Sequence, residues 1–104
     1  MRKAQVSVHG KPAGILEEDQ LGGPYRFMYH PAYDGAPVSL TMPLDASIHQ
    51  FDNFPPFFDG LLPEGIQLEG LLRTRKLDEH DLFGQLLAVG SDLVGAVTIA
   101  QVAS

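Results

Sequence analysis

A chain of 104 residues with 44% apolar and 19% charged side chains is long enough for one hydrophobic core and too apolar to stay disordered. It has no cysteine, which excludes disulfides and thiolate metal sites and points to a reducing compartment. A net charge of −6 disfavours a nucleic-acid ligand, whose binding rests on Lys and Arg; it suits a basic protein surface, and it also serves plain solubility.

Residues Met1 to Gln5 lack the apolar stretch of a signal peptide, and no run is long enough to span a membrane, so the expected location is the cytoplasm. Ala4, Val6 and Val8 alternate with Gln5, Ser7 and His9, the period of a strand with one wet face. Gly10-Lys11-Pro12 reads as a turn and Ala13 to Glu17 as the returning strand of a hairpin. After a loop over Asp19 to Pro24, aromatic residues at Tyr25, Phe27 and Tyr29 predict a third strand ending at His30. Val38, Leu40 and Met42 alternate with Ser39 and Thr41, predicting a fourth strand that Pro43 ends.

From Phe54 the period becomes helical. Pro55 and Pro56 fit a first helical turn, where a missing amide donor costs nothing, and Phe57, Phe58, Leu61 and Leu62 form one apolar stripe before Pro63 stops the helix. Glu64 to Arg75 predicts a second helix docking by Leu68, Leu71 and Leu72, with Gly70 weakening it by roughly 1 kcal/mol against Ala. Asp78 is the expected N-cap of a third helix whose Leu82, Phe83, Leu86 and Leu87 face inward, with Gly90 as its C-terminal stop. A fifth strand is expected from Val94 to Gln101. The order gives an α+β single domain over residues 1–104, an antiparallel meander or small partly open barrel of about five strands with two to three short helices before the last strand.

No catalytic constellation emerges. Gly90 to Val97 has the glycine spacing of a phosphate loop but lacks its Lys and Ser/Thr and precedes a strand. Asp78, Glu79, His80 and Asp81 are consecutive, so on a helix they point about 100° apart and cannot converge on one ion. His49 and Asp52 could form an acid–base pair, the basis of a small-hydrolase reading, but no nucleophile accompanies them. No cofactor and no metal are expected.

The informative residue is Ile66. At about 100° per residue, Leu71, Leu68 and Leu72 lie about 140° to 240° round the helix from it, so a helix docked by its leucines turns Ile66 to water. A lone exposed isoleucine is common on protein surfaces. The alternative is an anchor for a partner's pocket, set on the corner Leu62, Pro63, Glu64 and Gly65, with Glu64 and Glu69 as an acidic rim.

Four segments carry a family resemblance: Ala13-Gly14-Ile15-Leu16, Pro37 to Leu44, Phe57 to Gly65, and Asp81-Leu82-Phe83 leading through Gly90 to Val94-Gly95-Ala96-Val97. Leu-Leu-Pro-Glu-Gly and Val-Gly-Ala-Val are the most specific of these. Together they resemble the N-terminal subdomain of HipA-type serine/threonine kinases, toxins of HipBA toxin–antitoxin systems. One departure is Gly60, where the family usually carries Asn. In that family all ATP-binding and catalytic residues lie beyond this subdomain, and no such motif is present here. The chain is therefore similar to the HipS-like small antitoxins of three-component HipBST systems. This resemblance implies a non-enzymatic antitoxin whose partners are a HipT-like serine/threonine kinase and a HipB-like helix-turn-helix protein that binds DNA. Binding through Leu62, Pro63, Glu64, Gly65, Ile66 and Glu69 would oppose closure of the kinase lobes. The other reading is an N-terminal structural subdomain of a full-length HipA-like kinase.

Overall fold

The computed structural model describes residues 1–93 and 95–102. Five strands, β1 (Arg2–Val8), β2 (Lys11–Glu18), β3 (Tyr25–Tyr29), β4 (Ile48–Phe51) and β5 (Val97–Val102), form one open sheet in the order β4-β3-β2-β1-β5. Every pairing is antiparallel, so the chain is a four-strand meander with β5 returning beside β1. Three helices, α1 (Pro56–Asp59), α2 (Gly65–Arg75) and α3 (Leu82–Val89), precede β5, with a short 3-10 turn at Gly90–Asp92. The α+β class holds, and of the two architectures expected the open sheet is the one formed.

Alternation places the core on one side of the sheet. Ala4, Val6, Leu16, Phe27 and Ile99 are buried beneath Phe58 of α1 and Phe83 and Leu86 of α3. Phe27 meets Phe58 with ring centroids 6.1 Å apart, the contact by which the Phe-rich run roofs the sheet. The opposite side carries the paired charges of Glu17, which bonds Arg26 at 2.7 Å and Lys3 at 3.5 Å. The first hairpin turns at His9-Gly10, one position earlier than expected. Both residues have positive φ (52° and 79°), as a two-residue primed turn needs, and this leaves Lys11 and Pro12 in β2.

Three expectations are corrected. Residues Val38 to Met42 are not a strand. The hydroxyl of Tyr29 accepts from Val38 N at 2.9 Å and donates to the Met42 carbonyl at 2.5 Å, pulling both ends inward. The chain between them turns through an isolated Ser39–Met42 bridge, with Leu40 at the tip and 94% exposed. The fourth strand is Ile48–Phe51, whose single alternation is too short to register as a period.

The cap of α3 is Asp81, not Asp78: Asp81 Oδ1 accepts from Gly84 N at 3.0 Å, while Asp78 accepts from His80 N in the preceding turn. Buried Gln85 then donates to the carbonyls of Asp78 and Glu79, tying that turn down. Gly90 ends α3 in a right-handed conformation (φ −55°), so it is not a left-handed stop. It is glycine because a Cβ would lie 2.2 Å from the Ile99 carbonyl oxygen. Strand β5 begins at Val97; the earlier start expected at Val94 lies outside the described residues.

Candidate partner-binding surface

The surface begins where α1 ends. Its single turn closes at Gly60, whose φ of −64° keeps the helical register, and Leu61 and Leu62 follow half-buried against the core. Pro63 cannot continue a helix, Glu64 is extended (φ −132°, ψ 164°), and Gly65 has φ +60°. Nothing lies within 4 Å of where a Gly65 Cβ would be, so glycine is favoured there by backbone conformation alone. That left-handed step launches α2 with Ile66 in its first turn and 86% exposed.

Helix α2 is a peripheral element. None of its residues is buried, and Leu68, Leu71 and Leu72 are only half-covered. The expected stripe geometry is therefore present in direction but shallow in depth. Behind the corner lies an open groove of about 340 Å³ lined by Leu61, Leu62, Pro63, Gln67, Val89 and Leu93, with Asp92 at its margin. Glu64 is exposed at the N-cap and Glu69 in the second turn, while Arg73, Arg75 and Lys76 gather at the end of the helix, where their charge matches its dipole. The structure thus brings Leu62, Pro63, Glu64, Gly65 and Ile66 onto one presented corner, with Glu69 one turn along α2.

The other candidate groups are not brought into chemical geometry. His49 lies in β4, its Nε2 2.9 Å from the Pro43 carbonyl and its ring edge-on to Tyr29, while Asp52 lies beyond the end of the strand and lines a hollow with Glu17 and Gln50. His80 is 3.4 Å from Glu79, and among the described residues no group of three or more His, Cys, Asp or Glu side chains could hold a metal ion. Gly90 to Asp92 form a 3-10 turn packed on β5; Val94, in the middle of the suggested phosphate loop, lies outside the described residues.

Sequence reasoning missed an ionic knot on the α3 side. Arg2 donates to Glu18 Oε1 at 2.7 Å and to Asp81 Oδ1 at 2.7 Å, with its guanidinium 5.1 Å from the Phe83 ring centroid. The Glu18 carboxylate, almost fully buried, also accepts from the Tyr25 hydroxyl and Gly22 N. The hydrogen bond from Arg2 holds the Asp81 carboxyl below its ordinary value of 3.8, helped by the Gly84 amide. Burial, reinforced by the Glu18 charge, pushes Tyr25 up to about 12. The only advance signal was the pair Glu17-Glu18 in a strand, where one carboxylate must face the core side and find a cation.

A two-layer α+β domain with a firmly tied core and a presented corner is the class these features define. The family model of the HipA N-terminal domain matches residues 4–100. The chain belongs to the HipA N-terminal domain family. It is 36% identical over 101 residues to an uncharacterised protein of Haemophilus influenzae, covering 97% of this chain and 93% of that one. Among solved structures it is similar to the N-terminal domain of HipA toxin, with TM-score 0.78, 32% identity, and coverage of 100% of this chain and 95% of that one. Among the described residues no helix is long and apolar enough to cross a membrane.

Proposed function

We propose that this domain is a non-catalytic antitoxin of the cytoplasm that binds and neutralises a separate HipT-like serine/threonine kinase. The observation that carries this reading is Ile66, an isoleucine held 86% exposed on a Pro-Glu-Gly corner whose backbone is left-handed at Gly65. Desolvating such a residue in a partner's pocket gives an anchor, and the acidic rim favours approach to a basic surface. Seated beside the kinase cleft, the corner opposes lobe closure, a step that assembles phosphate-binding groups. Two further facts support it: the matched region is the N-terminal part of HipA, and in the Haemophilus influenzae relative the matched region makes up 93% of the chain. A HipB-like helix-turn-helix protein is the third member of the proposed system.

The test is co-expression with the kinase, scored for growth and co-purification. Wild-type chain should restore growth, and Ile66→Asp should fold normally yet leave the kinase active. Full neutralisation by Ile66→Asp would remove Ile66 from the mechanism, and failure of the wild-type chain to bind or silence the kinase would end the antitoxin reading. The similarity to the N-terminal domain of HipA toxin favours a second reading, a structural subdomain within a longer kinase. A reading frame running on into a kinase body would select it.

A further inference from the structure

The two edges of the sheet differ. Strand β5 is flanked by α3 and the 3-10 turn, whereas β4 contacts chiefly β3 and ends the sheet. Tyr29 N donates to Ser47 O, so antiparallel alternation makes His49 and Phe51 the residues hydrogen-bonded to β3 and turns the N–H and C=O groups of Ile48 and Gln50 outward. Both side chains are exposed, Ile48 to 50%. On the uncovered side of the sheet, Ile48 pairs with Met28 and Met28 with Ile15, a half-exposed apolar row that stops at this edge. One residue pair along, Gln50 and Asp52 border a hollow of about 180 Å³ that also includes Glu17, Asp19 and the cation Arg26. Glu17 is occupied by Lys3 and Arg26, while Asp19 and Asp52 have no ion-pair partner among the described residues.

We propose that the edge of β4 accepts an extended segment of a protein partner by antiparallel strand addition, with a Lys or Arg opposite Gln50 and an apolar residue two positions later opposite Ile48. Main-chain bonds to Ile48 and Gln50 supply the affinity. The apolar residue continues the Ile15–Met28–Ile48 row, and the cation enters the hollow beside Asp19 and Asp52. The acidic flanks, Asp45 before the strand and Asp52 after it, repel a second copy of this chain and admit a basic segment. None of these residues belongs to the Leu62–Glu69 corner, so the inference stands whether or not the antitoxin reading does.

The experiment titrates the full 15N-labelled chain with a short synthetic peptide of alternating Thr with Lys and Val, in which Lys precedes Val by two positions, and with a control peptide carrying Glu for Lys. The Lys peptide should shift the amides of Ile48 to Asp52 saturably and slow hydrogen exchange at Ile48 and Gln50, and the Glu peptide should not. Gln50→Pro removes an outward amide that β3 does not use; Ile48→Lys keeps the backbone and removes the apolar contact. Each should weaken the Lys peptide by about tenfold, the loss of one or two net contacts. Absence of saturable shifts, shifts centred elsewhere, or equal binding of both peptides would overturn the proposal, as would unchanged affinity in a correctly folded Ile48→Lys variant.

Discussion

Helices α3 and α2 are neighbours in sequence, and α2, at 11 residues against 8, is the longer, yet they answer to opposite demands. In α3 the residues Phe83 to Leu86 are all buried, the first turn is capped by Asp81, and Arg2 bolts that cap to β2. In α2 no residue is buried, no side chain caps the start, and the most exposed apolar residue stands in the first turn. The amphipathic pattern that docks α3 is present in α2 in weaker form. A sequence stripe therefore says which way a helix leans and not how deeply it sinks; depth is decided by what stands opposite.

The contrast should be widest for Phe83→Ala, which empties a fully buried site; a loss of about 3–5 kcal/mol in urea unfolding is expected. Arg2→Ala comes next, at about 2–3 kcal/mol, because it leaves the nearly buried Glu18 without its cation; the partial exposure of Arg2 keeps the figure below that of a fully buried pair. The same knot sets the acid limit. Asp81 is depressed in the folded chain, so its contribution is present above the ordinary value of 3.8 and is lost as pH falls through the lower folded value. An acid titration of Tm should show that loss in the wild type and a flatter profile in Arg2→Ala. At the alkaline end, Tyr25 is raised from 10.0 to about 12, so its contribution is present below 10.0 and fades between there and about 12; Tyr25→Phe should blunt the decline.

On α2 the effects should be smaller. Gly65→Ala has room for its methyl but must hold a left-handed backbone, at about 1–2 kcal/mol. Ile66→Asp should change thermal stability by less than about 0.5 kcal/mol, since the side chain touches little in the domain. A large destabilisation by Ile66→Asp would collapse the distinction between the two helices.

Much of the fold was legible because its signals were local. The aromatic alternation of Tyr25, Phe27 and Tyr29, the Pro55-Pro56 helix start and the inward face of α3 each read directly from spacing. The Leu62–Ile66 corner was legible too, since Pro63 and Gly65 punctuate it and Ile66 falls off the leucine stripe. What escaped depended on partners distant in sequence. The alternation of Val38, Leu40 and Met42 imitates a strand, and only the Tyr29 hydroxyl, reaching over from β3, makes it a turn. Arg2 gives no hint that its partners are Glu18 and Asp81, and Gly90 looks like a helix stop until Ile99 is placed against it.

The ion pairs also redraw the charge map. Arg2, Lys3, Lys11 and Arg26 are all engaged by Glu17, Glu18, Asp34 or Asp81, so the strands carry locally balanced charge. The remaining cations, Arg73, Arg75 and Lys76, sit together at the far end of α2, leaving the acidic surplus spread over the rest of the surface. The molecule is consequently an electric dipole in its own right. In the field of a charged neighbour it experiences a torque as well as a pull, so it arrives already turned, and added salt should slow its capture by weakening both.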